Sequence, residues 1–297
     1  MALLNPPGIL PTAMWAVARL IADGRPMNVK QAEALLSPAS LRGGEDGTAL
    51  KLAVDPLREL GLLHVERDGV LQLTRPLAPA AADDFAAFAA ELRTAALAPD
   101  GNTGIGDNDE QRGPRDLTRA LVWFLTLDPL GEPLTFEDVE QRQQSAFPER
   151  VGPPFRNNTR WNSFTYWGPA LGLVSQPLLA TSGARRLVAD PTGAVRQVVL
   201  SAWSPGERPR VRSVVELLLD DLPVLPGGAY AHALGVVHDP ERLDPATSFA
   251  LLCGHYQGWI RLERAADAAD SLLVVDPDAP GRTRVVTDIT ILGAADV

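Results

Sequence analysis

The chain has 297 residues, 45% of them hydrophobic and 22% charged, and its 27 basic side chains against 37 acidic ones leave a formal net charge of -10. That length and apolar content supply one large core or two to three small ones and exclude long low-complexity disorder. A single cysteine, Cys253, excludes an internal disulfide framework and any multi-cysteine zinc or iron–sulfur site, and suits a reducing compartment.

The opening Met1-Ala2-Leu3-Leu4-Asn5-Pro6-Pro7 lacks the basic and long apolar regions of a secretory signal. No run approaches the roughly 18 apolar residues of a membrane span. The expectation is a soluble, cytoplasmic protein with no membrane contact. Only Lys30 and Lys51 are lysine, a bias that with abundant Ala, Gly and Pro points to a GC-rich bacterial source.

Residues 11–23 predict a first helix, with Met14, Val17, Ala18 and Ile21 on one face and Asp23-Gly24 as its stop. A second helix covers Val29 to Leu36. After a loop from Ser37 to Gly47, Thr48 to Leu60 predicts a third, with Leu50, Val54, Leu57 and Leu60 inward and Gly61 as C-terminal cap. The period then changes to two: 63–67 and 70–74 alternate as strands around Asp68-Gly69, a hairpin signal. Three short helices and a hairpin make the order of a winged helix, whose third helix usually faces DNA and whose hairpin is the wing.

Asp83 to Leu97 is Ala-rich and helical, and Ala98 to Pro114 is polar, acidic and glycine-containing, the composition of a flexible linker. The helix–helix–helix–wing order then returns twice. Helices are expected at 116–127, at 135–147 (opened by a Thr135/Asp138 capping box) and at 157–171. A strand begins at Leu173-Val174-Ser175, turns at Thr181-Ser182-Gly183 and returns through Arg186-Leu187-Val188. In the last third, helices run from Asp190 to Trp203, Val211 to Leu219 and Pro245 to Gln257, with strands at 259–262, 272–275 and 283–292. Leu60-Gly61-Leu62-Leu63, Leu171-Gly172-Leu173-Val174 and Gln257-Gly258-Trp259-Ile260 share one pattern: a helix, a capping glycine and an apolar strand start.

The fold class expected is mainly α with small β-hairpins (α+β), built as three consecutive winged-helix units. Residues 1–82 form the first, 83–114 a helix and acidic linker, 115–189 the second, and 190–297 the third.

Catalytic signals are weak. Cys253-Gly254-His255 brings together only two metal-capable groups on a helix expected to be buried, the pattern of a core cysteine and a hydrogen-bonded histidine. Gly104-Ile105-Gly106 lacks the strand-to-helix context of a dinucleotide site, and neither lysine completes a phosphate loop. Asp220-Asp221 and Asp276-Pro277-Asp278 fit capping and turn roles, and no serine sits in a nucleophile elbow. No catalytic residue, metal or cofactor is expected, and the chain is not expected to be an enzyme.

The basic signal is stronger. From Gln141 to Arg186 there are six arginines and one acid, Glu149, so this window carries +5 in a chain of -10. On a helix from Asn157, Trp161, Phe164 and Trp167 would seat the core. Arg156, Asn157, Arg160 and Ser163 would then lie toward the helix start and the other side, where arginine can meet guanine or phosphate and asparagine can pair with adenine. Arg185 and Arg186 would lie on or beside the wing. Two readings of these arginines stay open: contact with duplex DNA, or bridging to an acidic protein surface. The first unit has eight basic and eight acidic residues from Met1 to Ala80, and the third is acidic overall, so both suit protein docking. Arg208, Arg210 and Arg212 have the look of a solvated loop.

Leu4-Asn5-Pro6-Pro7-Gly8-Ile9-Leu10-Pro11, with Arg156-Asn157 and Arg160-Trp161-Asn162-Ser163-Phe164, resembles the DpdG family, which is encoded with 7-deazaguanine DNA modification and restriction systems. The resemblance implies an antiphage setting and a protein partner such as an ATPase or helicase of the same system, and it supplies no catalytic residues. A second resemblance is to the tandem winged-helix subunits that bind kleisins in chromosome-structuring complexes. The reading is a non-catalytic accessory or DNA-recognition subunit of a bacterial DNA-modification or antiphage assembly. A stand-alone winged-helix transcription regulator, acting as a homodimer, is the alternative.

Overall fold

The computed structural model describes residues 2–24, 26–38, 48–177, 185–265 and 270–293. It is mainly α with small antiparallel strand pairs, as the expected class requires. Two compact units divide the chain. Unit 1 is Met1–Thr103 with Glu110–Leu117 and Arg156–Ala170; unit 2 is Gly104–Asp109 with Thr118–Phe155 and Leu171–Val297.

Unit 1 begins α1 (Pro11–Ala22), β1 (Met27–Asn28), α2 (Val29–Leu36), α3 (Thr48–Glu59), β2 (Leu63–Val65) and β3 (Val70–Leu73). Met14, Val17, Ala18 and Ile21 bury the inner face of α1, as their three-to-four spacing dictates. Asn28 and Gln31 cap α2 reciprocally, each side chain accepting the other's backbone N–H. After α3, Gly61 adopts φ +68 and lets the Leu62 N–H reach the Leu57 carbonyl at 2.8 Å, the bond that closes a Schellman cap. The β2–β3 hairpin forms where alternation places it, with Leu63 opposite Leu73 and Val65 opposite Leu71. The two-residue β1 has no sequence signal of its own, and it pairs with the far side of β3 through Met27 and Leu71.

Three more helices follow: α4 (Pro79–Asp83), α5 (Phe85–Ala96) and α6 (Pro99–Asn102). The segment 98–114 was expected to be a flexible linker, and here the structure corrects the sequence reading. Asn102, 2% exposed, donates its amide to the carbonyls of Ala96 and Ala98. In unit 2, Arg119 is 1% exposed and its guanidinium donates to the carbonyls of Ile105 and Asn108. Polar composition suggested solvent, but buried amide and guanidinium groups satisfy this segment's carbonyls from within.

The next helices are α7 (Arg115–Phe124), α8 (Phe136–Arg142), whose Thr135/Asp138 capping box forms as expected, and α9 (Asn158–Ala170). Then come α10 (Thr192–Ala202), α11 (Val211–Asp221), α12 (Ala229–Ala233), α13 (Pro245–Tyr256), β4 (Ile260–Glu263), β5 (Leu272–Val275), β6 (Thr283–Val286) and β7 (Asp288–Ile291). The single strand expected over 283–292 is broken at Thr287. Its N–H donates to the Glu263 carbonyl, and its hydroxyl donates to Asp288 and accepts the Ala265 N–H. Before this break the chain pairs with β5, and after it with β4. The expected turn at Thr181-Ser182-Gly183 lies outside the described residues.

One pairing pattern recurs three times. The segment between the first and second helices meets the last strand, which also meets the segment after the third helix. Met27 pairs with Leu71 while Leu63 pairs with Leu73; Leu134 bridges Leu187 while Ser175 bridges Val188; Arg210 bridges Asp288 while Ile260 pairs with Ile291. The three capping glycines, Gly61, Gly172 and Gly258, all take positive φ, at 68°, 69° and 78°. At Gly172 a Cβ would also lie 2.9 Å from the Ala194 nitrogen, so close backbone approach adds to the conformational demand.

Candidate nucleic-acid interface

The local sequence fixes α9 at its start. Asn157 accepts the Arg160 N–H at 3.0 Å, the bond of an N-cap side chain. Trp161, Phe164, Trp167 and Gly168 turn into unit 1, where the Trp161 and Phe164 rings lie 6.0 Å apart. The Trp167 indole N–H donates to the Ile9 carbonyl at 3.1 Å. Facing outward are Arg156, Asn157, Asn158, Asn162 and Tyr166, and the last three repeat every fourth residue as one stripe. The stripe lies within the longest acid-free part of the window: no Asp or Glu occurs from Val151 to Ala189.

The six residues singled out from sequence divide among three environments. Arg156 and Asn157 are exposed at the start of α9. Arg160 and Ser163 were expected on the outer side, and the structure corrects this: they are 7% and 5% exposed. A helix of 100° per residue carries both toward the aromatic face. Arg185 and Arg186 belong to unit 2. Arg185 is exposed, whereas half-buried Arg186 donates to the Pro133 carbonyl at 3.4 Å and lies close enough to Asp138 to favour its ionised form. The outward residues Asn158, Asn162 and Tyr166 were missed. Their signal was the spacing of 158, 162 and 166 opposite the aromatic positions.

Arg160 has a structural task. Asp116 is fully buried and accepts the N–H groups of Leu3 at 3.0 Å and Leu4 at 2.8 Å. Burial pushes the Asp116 carboxyl up, against the lowering effect of those N–H groups and of the Arg160 charge. Arg160 also donates to the Gln111 side chain at 3.1 Å, and its own burial lowers its affinity for a proton. Residues in and beside the two segments that carry the family resemblance thus come together within unit 1: Asp116, which holds Leu3 and Leu4, feels the Arg160 charge, and Trp167 donates to Ile9.

Asp276 pairs with Arg284 at 2.9 Å and accepts the Asp278 N–H, a turn role. Burial raises the Cys253 thiol away from thiolate, and among the described residues no three His, Cys, Asp or Glu side chains form a metal-binding group. Arg208 and Arg210 are exposed, as the solvated-loop reading expects, and these two and half-buried Arg212 are also paired. Arg208 meets Glu263 and Asp288, Arg210 meets Asp288 and Arg212 meets Glu241.

A family model described as DpdG-like matches residues 1–268. The chain belongs to the DpdG-like family. Membership suggests involvement in the 7-deazaguanine DNA-modification system and hence with that system's protein partners. Searches among curated proteins and among solved structures each found no match. Among the described residues, no helix is long and apolar enough to cross a membrane.

Proposed function

We propose that this DpdG-like protein is a non-catalytic accessory subunit of a bacterial 7-deazaguanine DNA-modification and antiphage assembly, made of three tandem winged helices, whose middle repeat contacts duplex DNA through α9. The winged-helix reading draws support from the thrice-repeated strand pairing, each time following a helix capped by a positive-φ glycine. The observation that carries the DNA contact is the outward face of α9. It presents one arginine, three asparagines and a tyrosine where no carboxylate interrupts the sequence.

Arg156 supplies phosphate attraction, and the first turn of α9, which holds no acidic residue, has an amide dipole that also favours an anion. Asn158 and Asn162 stand one turn apart, the spacing at which a helix in a major groove offers successive amides to base edges. In this reading Arg160 and Ser163 seat the helix rather than touch DNA, and the chain performs no chemistry of its own. The first and third repeats dock protein partners such as an ATPase or helicase of the system.

The experiment is duplex binding by the purified full-length chain, measured by fluorescence anisotropy. Unmodified duplex is compared with duplex whose guanines are replaced by 7-deazaguanine, which lacks the N7 acceptor in the major groove. Arg156→Glu is expected to weaken both complexes about tenfold or more. Wild-type affinity in a folded Arg156→Glu variant would rule out this surface, and metal-dependent cleavage surviving repurification would end the non-catalytic reading.

A further inference from the structure

Along α13 in unit 2, Phe249, Leu252, Cys253 and Tyr256 recur at helical spacing and line a hollow of about 160 Å³ with Pro129 and Leu130. A second hollow of about 260 Å³ shares Pro245 and Val275 with it and is flanked by Val237. The apolar side chains are unusually open to solvent: Val237 is 94% exposed, Tyr256 65% and Leu130 56%. Leu130 is held outward by a built turn in which the Asp128 carboxylate accepts its N–H at 2.9 Å.

The rim is mainly acidic. Asp128 and Asp278 are exposed beside the first hollow, where Asp276 is already tied to Arg284. Asp239 and Asp244 line the second, where Arg242 and His238 are the basic side chains among the described residues. Residues 190–297 as a whole contain nine arginines, no lysine and fifteen acids. Such a rim repels DNA, and in a two-fold contact between copies it would face another acidic rim, an arrangement disfavoured by like-charge repulsion.

We propose that this groove receives a short segment of a protein partner in which an aromatic or branched aliphatic anchor is flanked by arginine or lysine. The apolar floor takes the anchor, and Asp128, Asp239 and Asp278 attract the flanking cations. The inference rests on the adaptor reading above, to which it adds the docking site and the partner's chemistry.

The test uses the full-length chain as bait for a displayed library of random 12-residue peptides, with full-length Leu130→Ser and Tyr256→Ser variants as counter-selection. Both positions are exposed, so the variants are expected to melt as wild type does. Enriched peptides should carry an apolar anchor with basic flanks. Their binding, read by fluorescence anisotropy on synthetic copies, should weaken about tenfold or more in Tyr256→Ser. In Asp278→Lys it should weaken chiefly at low salt, and in Arg156→Glu it should be unchanged. Absence of a consensus, acidic flanks, or binding indifferent to Tyr256→Ser would overturn the proposal, as would a dimer in gel filtration that Tyr256→Ser dissociates. If the groove fails while the full chain still captures proteins of its own system, the adaptor reading survives without this site; if that capture is absent, the adaptor reading itself fails.

Discussion

Helices α9 and α13 each stand third, once the five-residue α12 is set aside, in a repeated helix–helix–helix–strand order, yet their outward faces have opposite chemistry. The exposed face of α9 carries Asn158, Asn162 and Tyr166 beside Arg156, whereas the outer side of α13 carries half-buried Phe249 and Cys253 and exposed Tyr256 beside aspartates. Both helices fill their inner sides with apolar groups, Trp161, Phe164 and Trp167 in one and Ala246, Ala250 and Leu251 in the other. Core residues therefore preserve the scaffold, while the residues between them set which partner each face can meet. The arginines make the same point. Arg208, Arg210 and Arg212 neutralise carboxylates of unit 2, whereas Arg156 lies in a stretch without an acid.

The sharpest way to break the inner/outer contrast on α9 is to empty its inner face. Trp167→Ala removes a fully buried side chain and an indole hydrogen bond to Ile9, and should cost about 3–5 kcal/mol in urea denaturation. Asn162→Ala on the outer face should stay within about 0.5 kcal/mol. Similar losses at both positions would erase the distinction.

Arg160→Ala is expected to cost on the order of 1–3 kcal/mol at neutral pH, because it removes a nearly buried guanidinium bonded to Gln111 and withdraws a positive charge that acts on buried Asp116. The folded Asp116 carboxyl already lies above its unfolded value, so its contribution to stability is fullest below about pH 4 and is lost as pH rises through the folded value. Removing Arg160 raises the folded value further. The penalty should therefore shrink as pH falls from 7 toward 4, and a pH-independent penalty would show that Arg160 acts by packing alone.

Much of this was legible in the sequence, for identifiable reasons. The apolar spacing of Met14, Val17 and Ile21, the Thr135/Asp138 cap and the glycines at 61, 172 and 258 are local signals, and each forms as local rules demand. What failed to show was long-range. Nothing near Arg160 in sequence says that Asp116 lies inside beside it, and nothing in the polar run 98–114 announces that Asn102 and Arg119 will satisfy its carbonyls. The Phe249, Leu252 and Tyr256 groove was hidden differently. The helix that carries it is expected from sequence to be buried, and only the fold shows that one edge of its apolar face stays uncovered.

A smaller effect sharpens the α13 side. Asp244 caps this helix by accepting the Thr247 N–H, and burial raises its carboxyl to about 6. Its folded value exceeds the unfolded one, so the associated stability is present below about pH 4 and is lost as pH rises through about 6. Asp244→Asn keeps an acceptor and cannot ionise. It should flatten the stability profile between pH 4 and 7 by on the order of 1 kcal/mol, once residual solvent contact screens the charge; an unchanged profile would move the titration elsewhere.

The central claim, that α9 and not the arginine row of unit 2 meets the DNA backbone, is tested most directly by salt titration of duplex binding for wild type, Arg156→Ala and Arg208→Ala. A true phosphate contact contributes about 1 to the slope of log affinity against log salt concentration. The expected result is a slope reduced by about 1 in Arg156→Ala and unchanged in Arg208→Ala, whose guanidinium already meets Glu263 and Asp288. A wild-type slope in Arg156→Ala, or a reduced slope in Arg208→Ala alone, would contradict it.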